Sequence, residues 1–183
     1  MSDDDRIRWD ERYRNRAASG GSDAVLPKVF VPFETEFPTS GSALDLACGA
    51  GEFSVWLARR GLDVWGVDIS PTAIDQARAL ASRAGVEERC RFEVVDLDDG
   101  LPAGPPVDVI VCHRFRDARL DRVVIERLAP GGLLAISALS VVGGAPGRFR
   151  VQPGELTTAF AHLDVIASGE GDGEAWLLAH KRV

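Results

Sequence analysis

The sequence has little of what marks secreted, membrane-spanning or metal-binding chains. Its 183 residues include only three cysteines, and no apolar run approaches the roughly 20 residues that a membrane-spanning helix needs. The odd number of cysteines, with Cys48 and Cys112 inside apolar runs, predicts reduced thiols and no disulfide. Because His113, His162 and His180 lack the close spacing of metal ligands, we expect no metal site.

The chain also lacks an excess of positive charge. It has 21 basic and 28 acidic residues, a net charge of −7, which argues against nucleic acid or an anionic membrane surface as partner. Residues 1–5 are acidic where a secretory signal would be basic, so we expect a cytoplasmic protein. Only Lys28 and Lys181 are lysines, so arginine is the usual cation here and a single arginine is weak evidence for a site.

Apolar runs typical of strands alternate with helical patterns from residue 43 onward. This alternation predicts an α/β fold: a single-domain, Rossmann-like, doubly wound sheet of seven strands, mostly parallel. The predicted strands are residues 43–48, 63–67, 91–95, 107–112, 133–137, 163–167 and 175–180. The last two are separated only by 168–174, too short for a parallel crossover, so we expect an antiparallel C-terminal strand. Ser70 and Pro71 are typical of a helix start.

An N-terminal arm, residues 1–41, precedes the predicted core, residues 42–183. Residues 3–16 are predicted as a charged helix and 17–22 as a flexible break. Two acid–base pairs in that helix are spaced to interact: Asp4 with Arg8 and Asp10 with Arg14. One helix face carries Trp9, Arg12, Tyr13 and Arg16. This face is either a lid over a cofactor or an amphipathic surface that packs its two aromatics on the core.

Residues 43–51, A-L-D-L-A-C-G-A-G, run from an apolar strand through a glycine-rich turn into a helix. Gly49 and Gly51 can adopt positive φ, and the helix that follows directs N–H groups at a ligand, as nucleotide-type cofactor sites do. The carboxylate of Asp45 suits a ligand that carries a cationic amine better than one that carries a pyrophosphate. Ser54 replaces the third glycine of the dinucleotide motif, so an NAD site fits imperfectly. Asp68 lies where an acidic residue binds ribose hydroxyls.

With Asp96-Leu97 after the third strand and the run 107–112, this pattern resembles the class I S-adenosylmethionine-dependent methyltransferases from residue 42 to the C-terminus. That family's first motif is acidic-x-G-x-G-x-G, and Ala47 replaces its first glycine. Because alanine does not take positive φ cheaply, we expect ordinary β geometry at Ala47. The segments W-D-E-R-Y at 9–13 and V-Q-P-G-E-L at 151–156 resemble the small bacterial enzymes related to tellurite-resistance and thiopurine methyltransferases, whose acceptors are small molecules.

The resemblance implies a methyltransferase that uses S-adenosyl-L-methionine and releases S-adenosyl-L-homocysteine. It also implies cofactor-binding roles for residues at strand ends and on the arm: Asp45, Ala47, Gly49, Gly51, Asp68, Ile69, Asp96, Leu97, Cys112, Trp9 and Tyr13. The alternative for the aspartates is a structural role as helix caps or solvated strand ends. Two other functions stay open: an NAD(P)-dependent oxidoreductase on a Rossmann sheet, and a non-enzymatic S-adenosylmethionine-binding module.

The acceptor is predicted to be a small molecule, since little chain remains outside the sheet to recognise a larger one. A thiolate acceptor needs only alignment, whereas a hydroxyl needs a base, for which His113 after the fourth strand is the catalytic candidate. Five arginines follow the fourth and fifth strands: Arg114, Arg116, Arg119, Arg148 and Arg150. They would suit an anionic acceptor, or they are solvated side chains. The sequence allows a monomer or a homodimer.

Overall fold

The computed structural model describes residues 3–17, 23–144 and 150–183. Within them the chain forms five α-helices and seven strands, and the strand order of the sheet is β3-β2-β1-β4-β5-β7-β6. The backbone clusters into two compact units, Met1–Pro102 and Ala103–Val183. The predicted Rossmann-like sheet of seven strands, mostly parallel with an antiparallel C-terminal strand, is confirmed.

The first unit is built on three parallel strands. Its elements are α1 (Asp3–Ala17), β1 (Ser42–Leu46), α2 (Glu52–Arg59), β2 (Asp63–Asp68), α3 (Pro71–Arg83) and β3 (Cys90–Val94). The helix α3 begins as predicted, because the Ser70 hydroxyl accepts a hydrogen bond from the Ala73 N–H at 3.1 Å. Ile74, Ala77 and Leu80 recur at helical spacing and pack in one buried cluster.

The second unit contains the remaining four strands. Its elements are β4 (Val107–Cys112), α4 (Asp121–Arg127), β5 (Leu128–Leu139), α5 (Glu155–Ala159), β6 (Asp164–Gly171) and β7 (Glu174–His180). The strands β4 and β5 are parallel, with a register shift between Val107 and Val109. The strand β5 begins immediately after α4, so the turn predicted at 129–132 falls within it.

The hairpin that ends the chain is antiparallel, as predicted, but its connection is shorter than the sequence indicated. Residues 168–171, predicted as part of a loop, extend β6 instead. Only Asp172 and Gly173 reverse the chain, with φ of +51° and +79°. Positive φ at both central residues is the geometry of a two-residue type I′ turn, whose twist matches that of the strands.

The N-terminal helix predicted over residues 3–16 is present as α1. The predicted pair of Asp10 and Arg14 forms a salt bridge. The flexible break predicted at 17–22 lies, except for Ala17, outside the described residues. No helix in the described ranges combines the length and the apolar character needed to cross a bilayer.

Candidate functional site

The turn after β1 has three residues with left-handed backbone. Ala47, Gly49 and Gly51 have φ of +55°, +55° and +79°. The expectation of ordinary β geometry at Ala47 is therefore wrong. With Ala47 in this conformation, the next residue pairs with β2, because the Cys48 N–H donates to the Val67 carbonyl at 2.9 Å.

Gly49 and Gly51 are also sites of close approach. A Cβ on Gly51 would lie 2.7 Å from the Ala77 Cβ of α3, so a side chain there would push the helices α2 and α3 apart. A Cβ on Gly49 would lie 2.6 Å from the Tyr13 hydroxyl of α1. The glycines thus bring the first turn of α2 close to α3 and bring Tyr13 against the turn's backbone.

Asp45 lies on β1 with 2% of its surface exposed. One carboxylate oxygen accepts a hydrogen bond from the Ser54 hydroxyl at 2.6 Å. Burial raises the pKa of Asp45 to about 7, and the neighbouring charge of Asp68 adds to the rise. A cation beside this carboxyl would restore its charged form, so the site suits a ligand that carries an amine or a sulfonium.

Asp68, at the end of β2, connects the glycine turn to the start of α3. Its two carboxylate oxygens accept backbone hydrogen bonds from Gly49 and Ser70, each at 2.9 Å. Burial raises its pKa, against the effect of these bonds. Asp68 therefore has structural hydrogen bonds, although it is neither the cap of α3, which is Ser70, nor a solvated strand end. Since each carboxylate oxygen has two lone-pair positions, it can still accept ribose hydroxyls.

The helix α1 is attached to the N-terminus of α3 through Asp10. One Asp10 oxygen accepts hydrogen bonds from the Ser70 hydroxyl at 2.7 Å and from the Thr72 N–H at 3.0 Å. The Gln76 side chain adds a bond of 2.9 Å to the Tyr13 carbonyl. This attachment places Tyr13 beside Gly49.

On the aromatic face of α1, the side chains of Tyr13 and Arg12 lie next to the ring of Trp9. The ring centroids of Trp9 and Tyr13 lie 6.3 Å apart, and the Arg12 guanidinium carbon lies 5.0 Å from the Trp9 ring centroid. The side chain of Arg16, the fourth member of the predicted face, is outside the described residues.

The remaining predicted cofactor residues lie at strand ends. Ile69 and Leu97 are buried, with 6% and 4% exposure. Asp96 caps the short helix Leu97–Asp99, accepting from the Asp98 N–H at 2.9 Å, which is the structural role that the cap alternative gives it. In the second unit, the Cys112 thiol lies 3.4 Å from the Phe115 carbonyl oxygen.

His113 follows β4, with its side chain 34% exposed. Its Nδ1 lies 2.7 Å from the Ser137 hydroxyl of β5 and 3.7 Å from a carboxylate oxygen of Glu174 on β7. The Ser137 hydroxyl also accepts the Arg114 N–H at 3.2 Å. The predicted base is thus held by side chains from two other strands.

The arginines proposed for an anionic acceptor are bound to other groups of the second unit. Arg114 and Arg119 pair with Glu174 and Asp117 respectively. The described arginines that remain are Arg116, paired with Asp121 and Glu155, and Arg150, which donates to the Ser140 and Gly173 carbonyls. Arg148 lies outside the described residues. These contacts favour structural roles over an anion-binding cluster.

The contacts that Ser54, Asp10 and Glu174 make at the site were not predicted from the sequence. Ser54 had a signal, since it occupies the position where the dinucleotide motif requires glycine, and its hydroxyl binds Asp45. Asp10 and Glu174 had none, because their partners lie far away in sequence. Across the described ranges, no group of three or more His, Cys, Asp or Glu side chains could hold a metal ion.

Comparison with known proteins agrees with this geometry. Residues 43–132 match the family model described as a methyltransferase domain. This segment is a methyltransferase domain. It begins at β1 and includes the glycine turn, Asp68, Asp96 and His113.

Sequence relatives of the methyltransferase domain act on different acceptors, to judge by their names. The chain is 35% identical over 108 residues to ribosomal RNA small subunit methyltransferase C of Alcanivorax borkumensis, covering 54% of this chain and 32% of that protein. It is 34% identical over 110 residues to the ubiquinone biosynthesis O-methyltransferase of Xylella fastidiosa, covering 56% and 44%. The chain thus spans less than half the length of these relatives.

The fold of the methyltransferase domain and its flanking elements is found in solved structures. TehB from Haemophilus influenzae superposes with a TM-score of 0.75 at 20% identity, covering 88% of this chain and 64% of TehB. This likeness shows a common fold.

Proposed function

We propose that the protein is an S-adenosylmethionine-dependent methyltransferase that acts on a small-molecule acceptor. The observation that carries the proposal is the buried Asp45 carboxyl, whose pKa of about 7 and position beside the glycine turn suit a cationic cofactor. A pyrophosphate in its place would face a buried acid and would gain nothing from it. This preference favours S-adenosylmethionine over NAD(P).

S-adenosylmethionine supplies an electrophilic methyl group on a sulfonium, so the protein's task is alignment and exclusion of water. We propose that the methionyl part of the cofactor is contacted by Asp45, Ala47, Gly49 and Gly51. The residues proposed for the ribose and adenine are Asp68, Ile69, Asp96 and Leu97. Cys112 is a further proposed cofactor-binding residue. Among these, Asp68 keeps its structural bonds while it accepts hydroxyls.

The arm, residues 1–41, is proposed to cover the cofactor through Trp9 and Tyr13. Support comes from the Tyr13 hydroxyl, which lies against Gly49, and from the attachment of α1 to α3 through Asp10. The core proposed for catalysis is residues 42–183. A location in the cytoplasm and a monomeric or homodimeric state complete the proposal.

Binding tests the choice of cofactor. At 100 times its dissociation constant, S-adenosylhomocysteine should stabilise the protein by about 2.7 kcal/mol, a rise in melting temperature of roughly 5–10 °C. Asp68→Ala should lose most of this shift, whereas Asp75→Ala, an exposed carboxyl on α3, should keep it. Stabilisation by NAD alone would reject the proposal.

Turnover tests the enzyme against a non-enzymatic binding module. Catechol and thiophenol, offered with methyl-labelled cofactor, probe hydroxyl and thiol acceptors in a broad small-molecule panel. If His113 is a base, His113→Ala should lower the rate only with hydroxyl acceptors, by roughly 100-fold or more. Tight cofactor binding without turnover on any acceptor would favour the binding module.

A further inference from the structure

His113, Ser137 and Glu174 bring three polar side chains together in the second unit. They come from the end of β4, from β5 and from the start of β7. The Ser137 side chain is fully buried, and the Glu174 side chain is 14% exposed. The group is built on strands, so its geometry is fixed more tightly than that of a loop site.

The contact with Ser137 does not by itself determine which ring nitrogen of His113 carries the proton. The Ser137 hydroxyl has one proton and two lone pairs, and it already accepts the Arg114 N–H at 3.2 Å. If the hydroxyl donates to Nδ1, the neutral ring carries its proton on Nε2, which then cannot act as a base. If the ring donates from Nδ1, Nε2 keeps a lone pair that can accept a proton.

Glu174 favours the second arrangement. Its Oε2 accepts from the Arg114 guanidinium at 3.1 and 3.4 Å, which holds the carboxylate in place. Its Oε1 is buried and, within the described residues, accepts no hydrogen bond. That oxygen lies 3.7 Å from the His113 Nδ1. Because a buried carboxylate oxygen without a donor is costly, a proton on Nδ1 lowers the energy of the pair.

We propose that Glu174 is a positioning residue that holds the proton on the Nδ1 of His113, so that Nε2 is the basic atom of the ring. The identity of the reaction rests on the function proposed above, while the protonation of the ring does not. When a hydroxyl acceptor reacts, its O–H bond breaks and an N–H bond forms at Nε2. The positive charge then lies beside Glu174, and the proton leaves later to water.

Groups of the described residues that lie beside the ring include Glu174 on β7, Arg114 at the end of β4 and the neutral Ser137 on β5. Arg114 binds the far carboxylate oxygen, while the near one faces Nδ1. Loss of Glu174 should therefore destabilise the protonated ring.

Nitrogen-15 spectra of the imidazoles test the proposal without an acceptor, and three histidines make them readable. The His113→Gln variant assigns the spectra, because the resonances that disappear in it are those of His113. Wild-type protein should show the neutral ring with its proton on Nδ1. In Glu174→Gln the proton should shift toward Nε2 and the ring should titrate at lower pH. Glu170→Gln, a carboxyl of the same hairpin that binds Ser140 and Gly154, should change neither.

A proton on Nε2 in the wild type, or unchanged spectra in Glu174→Gln, would overturn the proposal. If Glu174→Gln does not fold, Ser137→Ala decides between the two arrangements, because alanine is close in size and removes only the hydroxyl. The proton should remain on Nδ1 in Ser137→Ala. If it moves to Nε2, Ser137 rather than Glu174 determines which ring nitrogen carries the proton.

Kinetics separate a positioning role from a structural one. With catechol as acceptor, Glu174→Gln should lower kcat by about tenfold or more, with KM within about twofold, and with thiophenol it should change little. An equal loss on both acceptors would count against the proposal. If the wild type neither binds S-adenosylhomocysteine nor methylates either probe, the proposed function fails while the spectra still decide the role of Glu174.

Discussion

Ala47 adopts a backbone conformation that its own side chain disfavours. At φ of +55°, an alanine costs about 1–2 kcal/mol because its Cβ approaches the carbonyl oxygen. The turn is retained because the surrounding hydrogen bonds outweigh that cost. Cys48 bonds to Val67, and the Gly51 N–H bonds to the Cys48 carbonyl at 3.0 Å.

Ala47→Gly should therefore stabilise the protein, by about 0.5–1 kcal/mol in urea unfolding, because glycine relieves the strain but loses more chain entropy. The matched control is Ala79→Gly on an exposed position of α3, which should destabilise by about 1 kcal/mol. A loss of stability in Ala47→Gly would mean that the alanine methyl group contributes packing that exceeds the strain.

We expect Asp45 to make both folding and cofactor binding depend on pH. Its pKa is about 7 in the folded protein and near the ordinary carboxyl value in the unfolded chain, so the folded state binds the extra proton between those values. The free energy of unfolding should therefore fall as the pH rises from about 4 to about 7. Asp45→Asn, which is neutral throughout, should lose this part of the dependence.

Cofactor affinity should change in the opposite direction, because a cation binds the ionised carboxyl. We expect S-adenosylmethionine to bind up to about tenfold more tightly per pH unit below pH 7 and to reach a plateau above it. Calorimetry from pH 5.5 to 8.5 measures this effect. If the affinity of the wild type does not change with pH and matches that of Asp45→Asn, Asp45 does not interact with the charge of the cofactor.

The buried carboxylate of Asp10 attaches the helix α1 to the N-terminus of α3. Asp10 is 7% exposed, and although burial opposes it, the hydrogen bonds from Ser70 and Thr72 lower its pKa. The same carboxylate adds negative charge at the N-terminus of α3, where the helix dipole favours it. The attachment should therefore hold at neutral pH and weaken only in acid, as the pH falls through the lowered pKa.

Asp10→Ala should release α1 while the sheet stays folded. Hydrogen exchange in residues 6–15 should speed up by about tenfold or more, corresponding to a loss of roughly 1–2 kcal/mol at a helix cap. The control Asp75→Ala removes an exposed carboxyl of α3 and should leave exchange unchanged. Unchanged protection in Asp10→Ala would show that the aromatic contacts of Trp9 and Tyr13 suffice to hold the helix.

The terminal hairpin shows which elements sequence patterns predict well. The strands were predicted because each contains an apolar run of strand length, and the antiparallel pairing followed from the short connection. The exact turn was missed, although Asp172-Gly173 is typical of a type I′ turn. Glycines at 169 and 171 favoured a loop, but pairing with β7 outweighed that local preference.

The net charge of −7 bears on what the whole chain can bind. Relatives that match about half of it include an enzyme named for ribosomal RNA, so RNA is the rival macromolecular partner. The described arginines after β4 and at 150 are engaged by carboxylates or carbonyls, which leaves them poorly placed to contact phosphates.

We accordingly expect no measurable binding of a 16-nucleotide RNA stem-loop at 150 mM salt, by fluorescence anisotropy at protein concentrations up to about 100 μM, because specific complexes of RNA-binding proteins are far tighter. A basic RNA-binding protein run in parallel validates the assay. Saturable binding that weakens with added salt would identify a phosphate contact and would reject the small-molecule acceptor as the sole substrate class.

The strand and helix periodicities, the glycine turn and the acidic residues at strand ends are local patterns. They were sufficient to predict the sheet, and the cofactor class followed from the family that they resemble. Local patterns could not predict the left-handed Ala47, the attachment of α1 through Asp10 or the approach of Glu174 to His113. Each depends on groups far apart in sequence that the folded backbone brings within hydrogen-bonding or electrostatic range. Burial then changes their chemistry, as at Asp45, where removal from water rather than residue type raises the pKa to about 7.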